Sequence, residues 1–356
     1  MQKSNRLIGI DLCYAVALFG TVSYIYFFAT NRFAIEEGVL SHSWNILLLD
    51  FFPALFFFLN GLTISLTMRD RKVSSRKMLA YLTKRGMLLF LIGLAVCVYW
   101  PMNMFIAVGI MYFVAPYVVQ WNNTILRVLI ILGLFIAHGL LFIHVPSSVS
   151  FKIPEIHGGG IIDLTGFVFF NGYFSILPWF LLFIAGMLFG RSDLRARGWL
   201  PPNSIVGVAL VGVGILLQVV LKRIDVTYLD LRRFDNPLLN FRLLMPSFVF
   251  VSIGFSMILI NATNYFFRVF EAVKIVKLAS LYSSMKYSVL MFQLIISSLT
   301  IVLTPGAFFA KSSVLIGFCI AATIFTFYLP IFWSKKISNK GPLEWTFKRI
   351  SGSAKK

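Results

Sequence analysis

One histidine stands directly before a long apolar run that also contains an acidic residue. His42 is followed by Trp44 and Asn45, and Asp50 lies further along the run. An imidazole with its ordinary pKa of about 6.5 supplies a free base that takes a proton from a hydroxyl or an amine. Asp50 would orient that imidazole or stabilise its protonated form. Alternatively, His42 is only a polar residue where a membrane segment meets the lipid headgroups, a level at which tryptophan is enriched.

The composition predicts an all-α, polytopic integral membrane protein. Of the 356 residues, 59% are hydrophobic and 13% are charged, and the mean hydropathy is +0.86. Soluble domains have about 45–50% apolar and about 25% charged residues. About ten transmembrane helices are predicted, over residues 8–29, 45–67, 87–100, 102–119, 126–145, 173–189, 204–221, 244–260, 287–303 and 313–333.

The basic residues fix the predicted orientation of these helices. With a cytoplasmic N-terminus, about three quarters of the 32 lysines and arginines fall in inner segments, as the positive-inside rule requires. Both termini are then cytoplasmic, and a bacterial inner or plasma membrane is the expected location. The net charge of +19 is scattered in short clusters, which argues against a nucleic-acid partner. Membrane lipid is an expected partner, and a homo-oligomer is one option.

We predict a single transmembrane domain over residues 1–334 and a basic cytoplasmic tail over 335–356. The residues joining the third and fourth helices at Pro101 predict a tight hairpin, and residues 265–277 predict an interfacial segment. Cys13, Cys97 and Cys319 lie in apolar runs without metal-ligand spacing. We therefore expect neither a disulfide nor a metal.

Further candidates fall in the predicted outer loops and within one helix. His157 precedes three glycines, and the pair Arg232 and Arg233 suits a carboxylate or phosphate on an acidic glycan. The alternative for the arginines is an ion-pair network within their own loop. His138, in the middle of a predicted helix, is either a second candidate base or a polar residue satisfied by a neighbouring helix.

Three stretches in order resemble the transmembrane acyltransferase superfamily, closest to its heparan-α-glucosaminide N-acetyltransferase-like branch. "NRLIGIDLCYAVALFG" resembles the family's opening, with Arg6 and Asp11 entering the first helix. "HSWNILLLDFFPALFFFLNGLTISLTMRDR" resembles the second-helix motif, and "NGYFSILPWFLLFIAGMLFGR" resembles a third block. The resemblance covers the order of helices through about Arg191.

The resemblance implies transfer of an acyl group, often acetyl, from cytoplasmic acyl-CoA to a sugar hydroxyl or amine on the far side of the membrane. Its catalytic histidine carries over to His42, with Asp50 in support. The residues expected near the acyl-CoA are Arg6, Asp11 and Arg85. The residues expected near a glycan or amino-sugar acceptor are Trp44, Asn45, His157, Arg232 and Arg233.

The sequence departs from the family's pattern at several positions. Tyr14 stands where an arginine is typical, and Gln293 stands where a histidine is often found. Two other functions therefore stay open. One is a transporter or flippase of a small or lipid-linked substrate, and the other is a catalytically inactive relative that serves as a membrane partner.

Overall fold

The computed structural model describes residues 8–35, 44–70, 75–97, 104–143, 174, 176–192, 194, 202–223, 246–270, 273–303 and 312–350. Side chains are described within these ranges except at 27–35, 44–50, 70, 75–77, 97, 137–143, 218, 221–223, 267–270, 273, 300–303 and 312–316. The regular structure in these ranges is helical, which confirms the predicted all-α class of a polytopic membrane protein.

Twelve helices occupy the described ranges. They are α1 (Ile8–Ile35), α2 (Trp44–Asp70), α3 (Ser75–Cys97), α4 (Phe105–Val118), α5 (Asn123–Ile143), α6 (Ile176–Phe189), α7 (Pro202–Arg223), α8 (Pro246–Phe270), α9 (Val273–Ser284), α10 (Lys286–Leu303), α11 (Ser312–Lys336) and α12 (Pro342–Ile350). Each of the ten predicted membrane segments falls on one of them.

Five helices within the described part of the chain are long and apolar enough to cross a membrane. Their apolar stretches are Ile8–Tyr26, Phe51–Arg69, Met78–Val96, Pro246–Phe266 and Gly317–Lys336. The other five predicted spans correspond to shorter apolar helices, which are Phe105–Val118, Asn123–Ile136, Ile176–Phe189, Pro202–Leu217 and Lys286–Leu299. The number of spans and the sides of the termini stay predictions.

Two helix boundaries differ from those predicted. The third predicted span begins at Met87, whereas α3 begins three turns earlier at Ser75. Basic residues of that stretch lower its hydropathy without breaking the helix, so hydropathy alone places the start too late. The predicted interfacial segment 265–277 is divided between the end of α8 and the start of α9.

The chain forms two compact units. The first, here the terminal unit, comprises Met1–Phe56 and Ala262–Ser353, and the second, here the central unit, comprises mainly Phe57–Asn261. The boundaries fall inside α2 and α8, so each of these helices contributes to both units.

In the terminal unit, α1 packs against α9, α10 and α11, and α10 also packs against α11 and α12. The N-terminal turns of α1 meet the C-terminal part of α8 at close range. A Cβ atom added to Gly9 would lie 2.6 Å from the backbone nitrogen of Asn264, and Cys13 Sγ lies 3.2 Å from Thr263 Oγ1. Glycine at position 9 therefore allows the two helix backbones to meet.

In the central unit, glycines again stand where helices meet. The hairpin of α3 and α4 closes on Gly86, Gly93 and Gly109; a Cβ at Gly86 would lie 2.5 Å from the backbone nitrogen of Phe113. This antiparallel contact agrees with the hairpin predicted at Pro101. Small residues at helix contacts are typical of membrane proteins, where close backbone packing replaces much of the hydrophobic driving force.

Candidate functional site

A buried lysine with aromatic neighbours marks the start of α10 in the terminal unit. Lys286 is only 7% exposed, and its Nζ donates a hydrogen bond of 2.6 Å to Tyr14 Oη. The same nitrogen lies 3.8 Å from the centroid of the Tyr14 ring and 5.3 Å from that of Tyr287. A cation among aromatic faces gains electrostatic stabilisation that grows as water is removed. The helices therefore hold an ammonium group where few water molecules reach it.

The amino end of α10 is capped by an acidic residue from α12. Glu344 Oε1 accepts hydrogen bonds from the backbone nitrogens of Tyr287, at 2.8 Å, and Ser288, at 3.3 Å. Ser288 Oγ donates to Glu344 Oε2 and accepts from the backbone nitrogen of Leu343 at 3.1 Å. A carboxylate at a helix N-terminus satisfies free N–H groups and complements the helix dipole. This cap fixes the turn from which Lys286 projects.

Asp11 lies one helical turn before Tyr14 on α1 and is 6% exposed. Its place in the first turn of α1 suits a carboxylate, because the N-terminal end of a helix carries partial positive charge. Asp11 therefore lies in the same unit as Lys286 and its aromatic neighbours Tyr14 and Tyr287. Arg6, predicted beside Asp11, lies outside the described residues.

Arg85, the other residue predicted near acyl-CoA, belongs to a separate cluster in the central unit. Its guanidinium carbon lies 5.0 Å from the centroid of the Tyr112 ring, and Nη1 lies 3.4 Å from Tyr81 Oη. Tyr112 Oη in turn donates to Asn60 Oδ1 at 3.2 Å. Asn60 belongs to the second-helix motif, so α2, α3 and α4 are joined through one arginine and one tyrosine.

The second and third motifs of the sequence pack against each other. A Cβ at Gly61 of α2 would collide with the carbonyl oxygen of Phe183, and one at Gly186 of α6 would collide with that of Phe58. The motif residue Trp179 is fully buried, with its ring centroid 5.0 Å from that of Phe57. These motif residues therefore form a helix–helix contact.

Arg191, at the end of the third motif, fastens the turn between α4 and α5. Its Nη1 donates to the carbonyl oxygen of Trp121 and to Asn123 Oδ1, each at 2.7 Å, and Nη2 donates to the carbonyl oxygen of Val119 at 2.9 Å. Burial lowers the pKa of Arg191 from the ordinary arginine value. The arginine holds carbonyl groups that the end of α4 leaves without helical partners.

None of the predicted catalytic and acceptor-binding side chains is among those that the structure describes. His42, His157, Arg232 and Arg233 lie outside the described residues. Trp44, Asn45 and Asp50 lie in the first two turns of α2, and His138 lies in α5, but their side chains are not among those that the structure describes. The predicted pairing of His42 with Asp50 therefore stays a prediction. No group of three histidine, cysteine or acidic residues suited to a metal occurs among the residues that can be described.

The sequence matches the model of a known protein family. The sequence model for the catalytic domain of heparan-alpha-glucosaminide N-acetyltransferase matches residues 6–212, more than half of the chain. The chain belongs to this family. No curated protein gives a significant match to the sequence.

The match to the N-acetyltransferase family runs from the beginning of α1 into α7. It contains Asp11, Tyr14, Asn60 and Arg85, whereas Lys286 lies beyond it. The sequence pattern did not single out Lys286, because a lysine at the inner end of an apolar span fits the positive-inside rule. One signal was available: a lysine in the first turn of a helix faces unfavourable partial positive charge.

Proposed function

We propose that the protein transfers an acetyl group from cytoplasmic acetyl-CoA to a hydroxyl or amine of a sugar on the extracytoplasmic side of the membrane. The observation that supports this proposal most strongly is the match of residues 6–212 to the N-acetyltransferase catalytic domain. The expected membrane is a bacterial inner or plasma membrane, and the product would be a modified glycan of the cell envelope.

His42 is the general base in this proposal. It takes the proton from the attacking hydroxyl or amine as that group's oxygen or nitrogen bonds to the thioester carbonyl carbon. The carbon–sulfur bond then breaks, and the departing thiolate of CoA receives a proton from the imidazolium. Asp50 supports the imidazolium charge. Both residues lie within residues 6–212, the segment that matches the family model.

In this proposal the acetyl donor binds on the cytoplasmic side of the membrane, and the acceptor binds on the extracytoplasmic side. Arg6, Asp11 and Arg85, on the predicted inner side, are assigned to the nucleotide part of acetyl-CoA. Lys286 adds a buried positive charge that suits a phosphate group. The residues assigned to the acceptor are Trp44, Asn45, His157, Arg232 and Arg233.

The test is release of free CoA by the purified full-length protein with acetyl-CoA and a panel of amino sugars and glycans. Acceptor-dependent release that falls by about 100-fold or more in His42→Ala, as expected for loss of a general base, supports the proposal. His138→Ala tests the second candidate base and should keep the wild-type rate if His42 is the base. Absence of both turnover and acetyl-CoA binding in the wild type would exclude this function and favour transport or an inactive relative.

A further inference from the structure

The short helix α12 holds one of its faces against the terminal unit. Leu343 and Phe347 are four residues apart, so they share a face of the helix, and both are buried. The centroid of the Phe347 ring lies 5.9 Å from that of Tyr287, with the two rings nearly perpendicular. Together with the Glu344 cap on α10, these contacts fix which side of α12 points outward.

The opposite face of α12 combines a tryptophan with two cations. Trp345, Lys348 and Arg349 are exposed, and their spacing of three and four residues places them on one face of the helix. Each residue of an α-helix is rotated by about 100° from the one before, so this face is directed away from the buried pair. The guanidinium carbon of Arg349 lies 5.0 Å from the centroid of the Trp345 ring. We call these three residues the outward face.

The acidic residue of this part of the chain is used on the inner side of α12. Residues 335–356 contain seven basic residues and one acidic residue, Glu344. The Glu344 carboxylate accepts hydrogen bonds from the backbone nitrogens of Tyr287 and Ser288 in α10. It is therefore directed toward the helix that it caps, and the charge that α12 and its flanking segments present outward is positive.

The contacts at the end of α11 place the start of α12 at the membrane surface. The apolar stretch of α11 ends at Lys336, and α12 begins at Pro342. The connection turns back on α11, because Trp333 Nε1 donates a hydrogen bond of 2.9 Å to the carbonyl oxygen of Lys340. Tryptophan is enriched at the headgroup level, and basic residues follow the cytoplasmic ends of spans. Lys335 and Lys336 are exposed at this end of α11.

We propose that the outward face, together with the basic end of α11, binds the headgroups of anionic phospholipids in the membrane that the protein spans. A lysine or arginine near an anionic leaflet adds about fivefold to the affinity. Trp345 is 48% exposed, and the flanking Ile337 and Ile350 are also exposed. Apolar and aromatic side chains among cations suit the boundary between headgroups and acyl chains. They favour a lipid surface over an acidic protein in water.

The first test measures lipid binding to the purified full-length protein by native mass spectrometry from a neutral detergent. Phosphatidylglycerol and phosphatidylcholine are titrated separately, and the wild type should bind phosphatidylglycerol at least tenfold more tightly. The double variant Lys348→Gln and Arg349→Gln should lose about 10- to 30-fold of its affinity for phosphatidylglycerol and keep its affinity for phosphatidylcholine. Raising the ionic strength should weaken phosphatidylglycerol binding to the wild type, because salt screens exposed charges.

The matched control removes the same charge from another part of the chain. Lys84 of α3 and Arg127 of α5 are exposed cations of the central unit. The double variant Lys84→Gln and Arg127→Gln should bind phosphatidylglycerol within about twofold of the wild type. Both double variants change exposed positions, so their melting temperatures should stay close to that of the wild type. A loss confined to the α12 variant would therefore come from a local surface rather than from net charge.

The second test locates Trp345 relative to the lipid. The full-length protein is placed in nanodiscs of phosphatidylcholine that contain about one third brominated phosphatidylglycerol. The fluorescence of Trp345 is the difference between the wild type and Trp345→Phe. Bromine quenches tryptophan at contact, so the difference signal should be quenched by the brominated lipid and protected from acrylamide in the water. In the double variant Lys348→Gln and Arg349→Gln, quenching by the brominated phosphatidylglycerol should decrease.

Two results would overturn the inference. The first is equal affinity of the wild type for phosphatidylglycerol and phosphatidylcholine, or equal phosphatidylglycerol affinity in the wild type and the α12 variant, which would show that the outward face selects no anionic lipid. The second is quenching of Trp345 by acrylamide but not by brominated lipid, which would show that this face meets water and would assign it to an acidic soluble partner. Neither result depends on acetyl transfer, so the proposed function is tested separately.

Discussion

The hydroxyl of Tyr14 is a polar partner of a buried ammonium group, and removing it should be costly. Tyr14→Phe keeps the aromatic ring beside Lys286 but deletes the 2.6 Å hydrogen bond. We expect the free energy of unfolding to fall by about 1–3 kcal/mol, the usual range for hydrogen bonds to charged groups. Thermal unfolding of the purified protein in detergent measures the change.

Tyr117→Phe is the control for this substitution, because Tyr117 is exposed on α4. It should leave the melting temperature nearly unchanged, as most surface substitutions do. Equal melting temperatures for Tyr14→Phe and the wild type would show that the hydrogen bond from Lys286 to the Tyr14 hydroxyl contributes nothing to the stability of the protein.

For individual residues, the sequence predicts which side chains are buried or charged better than it predicts which side chains contact each other. The resemblance places Asp11 at the entry to the first helix, and the structure finds it buried there. The sequence marks Tyr14 only as standing where an arginine is typical, and it does not distinguish Lys286 from the other basic residues. The contact of Tyr14 with Lys286 joins residues far apart in the chain, and nothing in either local sequence specifies the other.

Among the helices, the contact between α2 and α6 depends on the absence of a side chain at Gly186. Gly186→Ala would push a methyl group into the carbonyl oxygen of Phe58, which belongs to backbone and cannot rotate away. We expect a loss of about 1–3 kcal/mol or more, as in overpacked cores. A lower melting temperature and a lower yield of folded protein would show this loss.

Gly212→Ala on α7 provides the opposite expectation. Nothing lies within 4 Å of the Cβ position at Gly212, and alanine favours a helix over glycine by about 0.5–1 kcal/mol. This variant should be as stable as the wild type or more so. If both alanine variants behave alike, the α2–α6 backbone contact is looser than described.

The planar guanidinium of Arg191 binds the turn between α4 and α5. In Arg191→Lys a single ammonium cannot reproduce the planar set of donors that reaches Trp121, Asn123 and Val119. We expect a loss of about 1–2 kcal/mol in the free energy of unfolding. Arg127→Lys, at an exposed position on α5, is the matched control and should change the melting temperature little.

Hydropathy predicts the apolar helices of this protein and misses the charged ones. All ten predicted spans fall on helices, because apolar runs of this length have few alternatives in a bilayer. The extra turns of α3 and the whole of α12 were not predicted, since these segments carry several charges. Helix α12 buries only Leu343 and Phe347 within the terminal unit, so its stability depends on contacts made far along the chain.

For the whole molecule, the distribution of basic residues predicts which parts of the chain face the cytoplasm. In a variant lacking native cysteines, Ser353→Cys should react with a membrane-impermeant maleimide only after the membrane is opened. Ser148→Cys, in a predicted outer loop, should react in intact spheroplasts. The physical reason is the retention of positively charged loops on the cytoplasmic side. Labelling of both positions from the same side would refute the ten-span topology.

The division of the chain into two units also sets an order of events during biosynthesis. Residues 1–56 leave the ribosome first, but the rest of the terminal unit begins at residue 262, after nearly the whole central unit. At about 5–20 residues per second the delay is roughly 10–40 s. During that time α1, with its buried Asp11 and Tyr14, is in the membrane before its later neighbours exist. The newly made protein therefore depends on late helices finding an early one, and a nonsense mutation before residue 262 would leave α1 permanently without them.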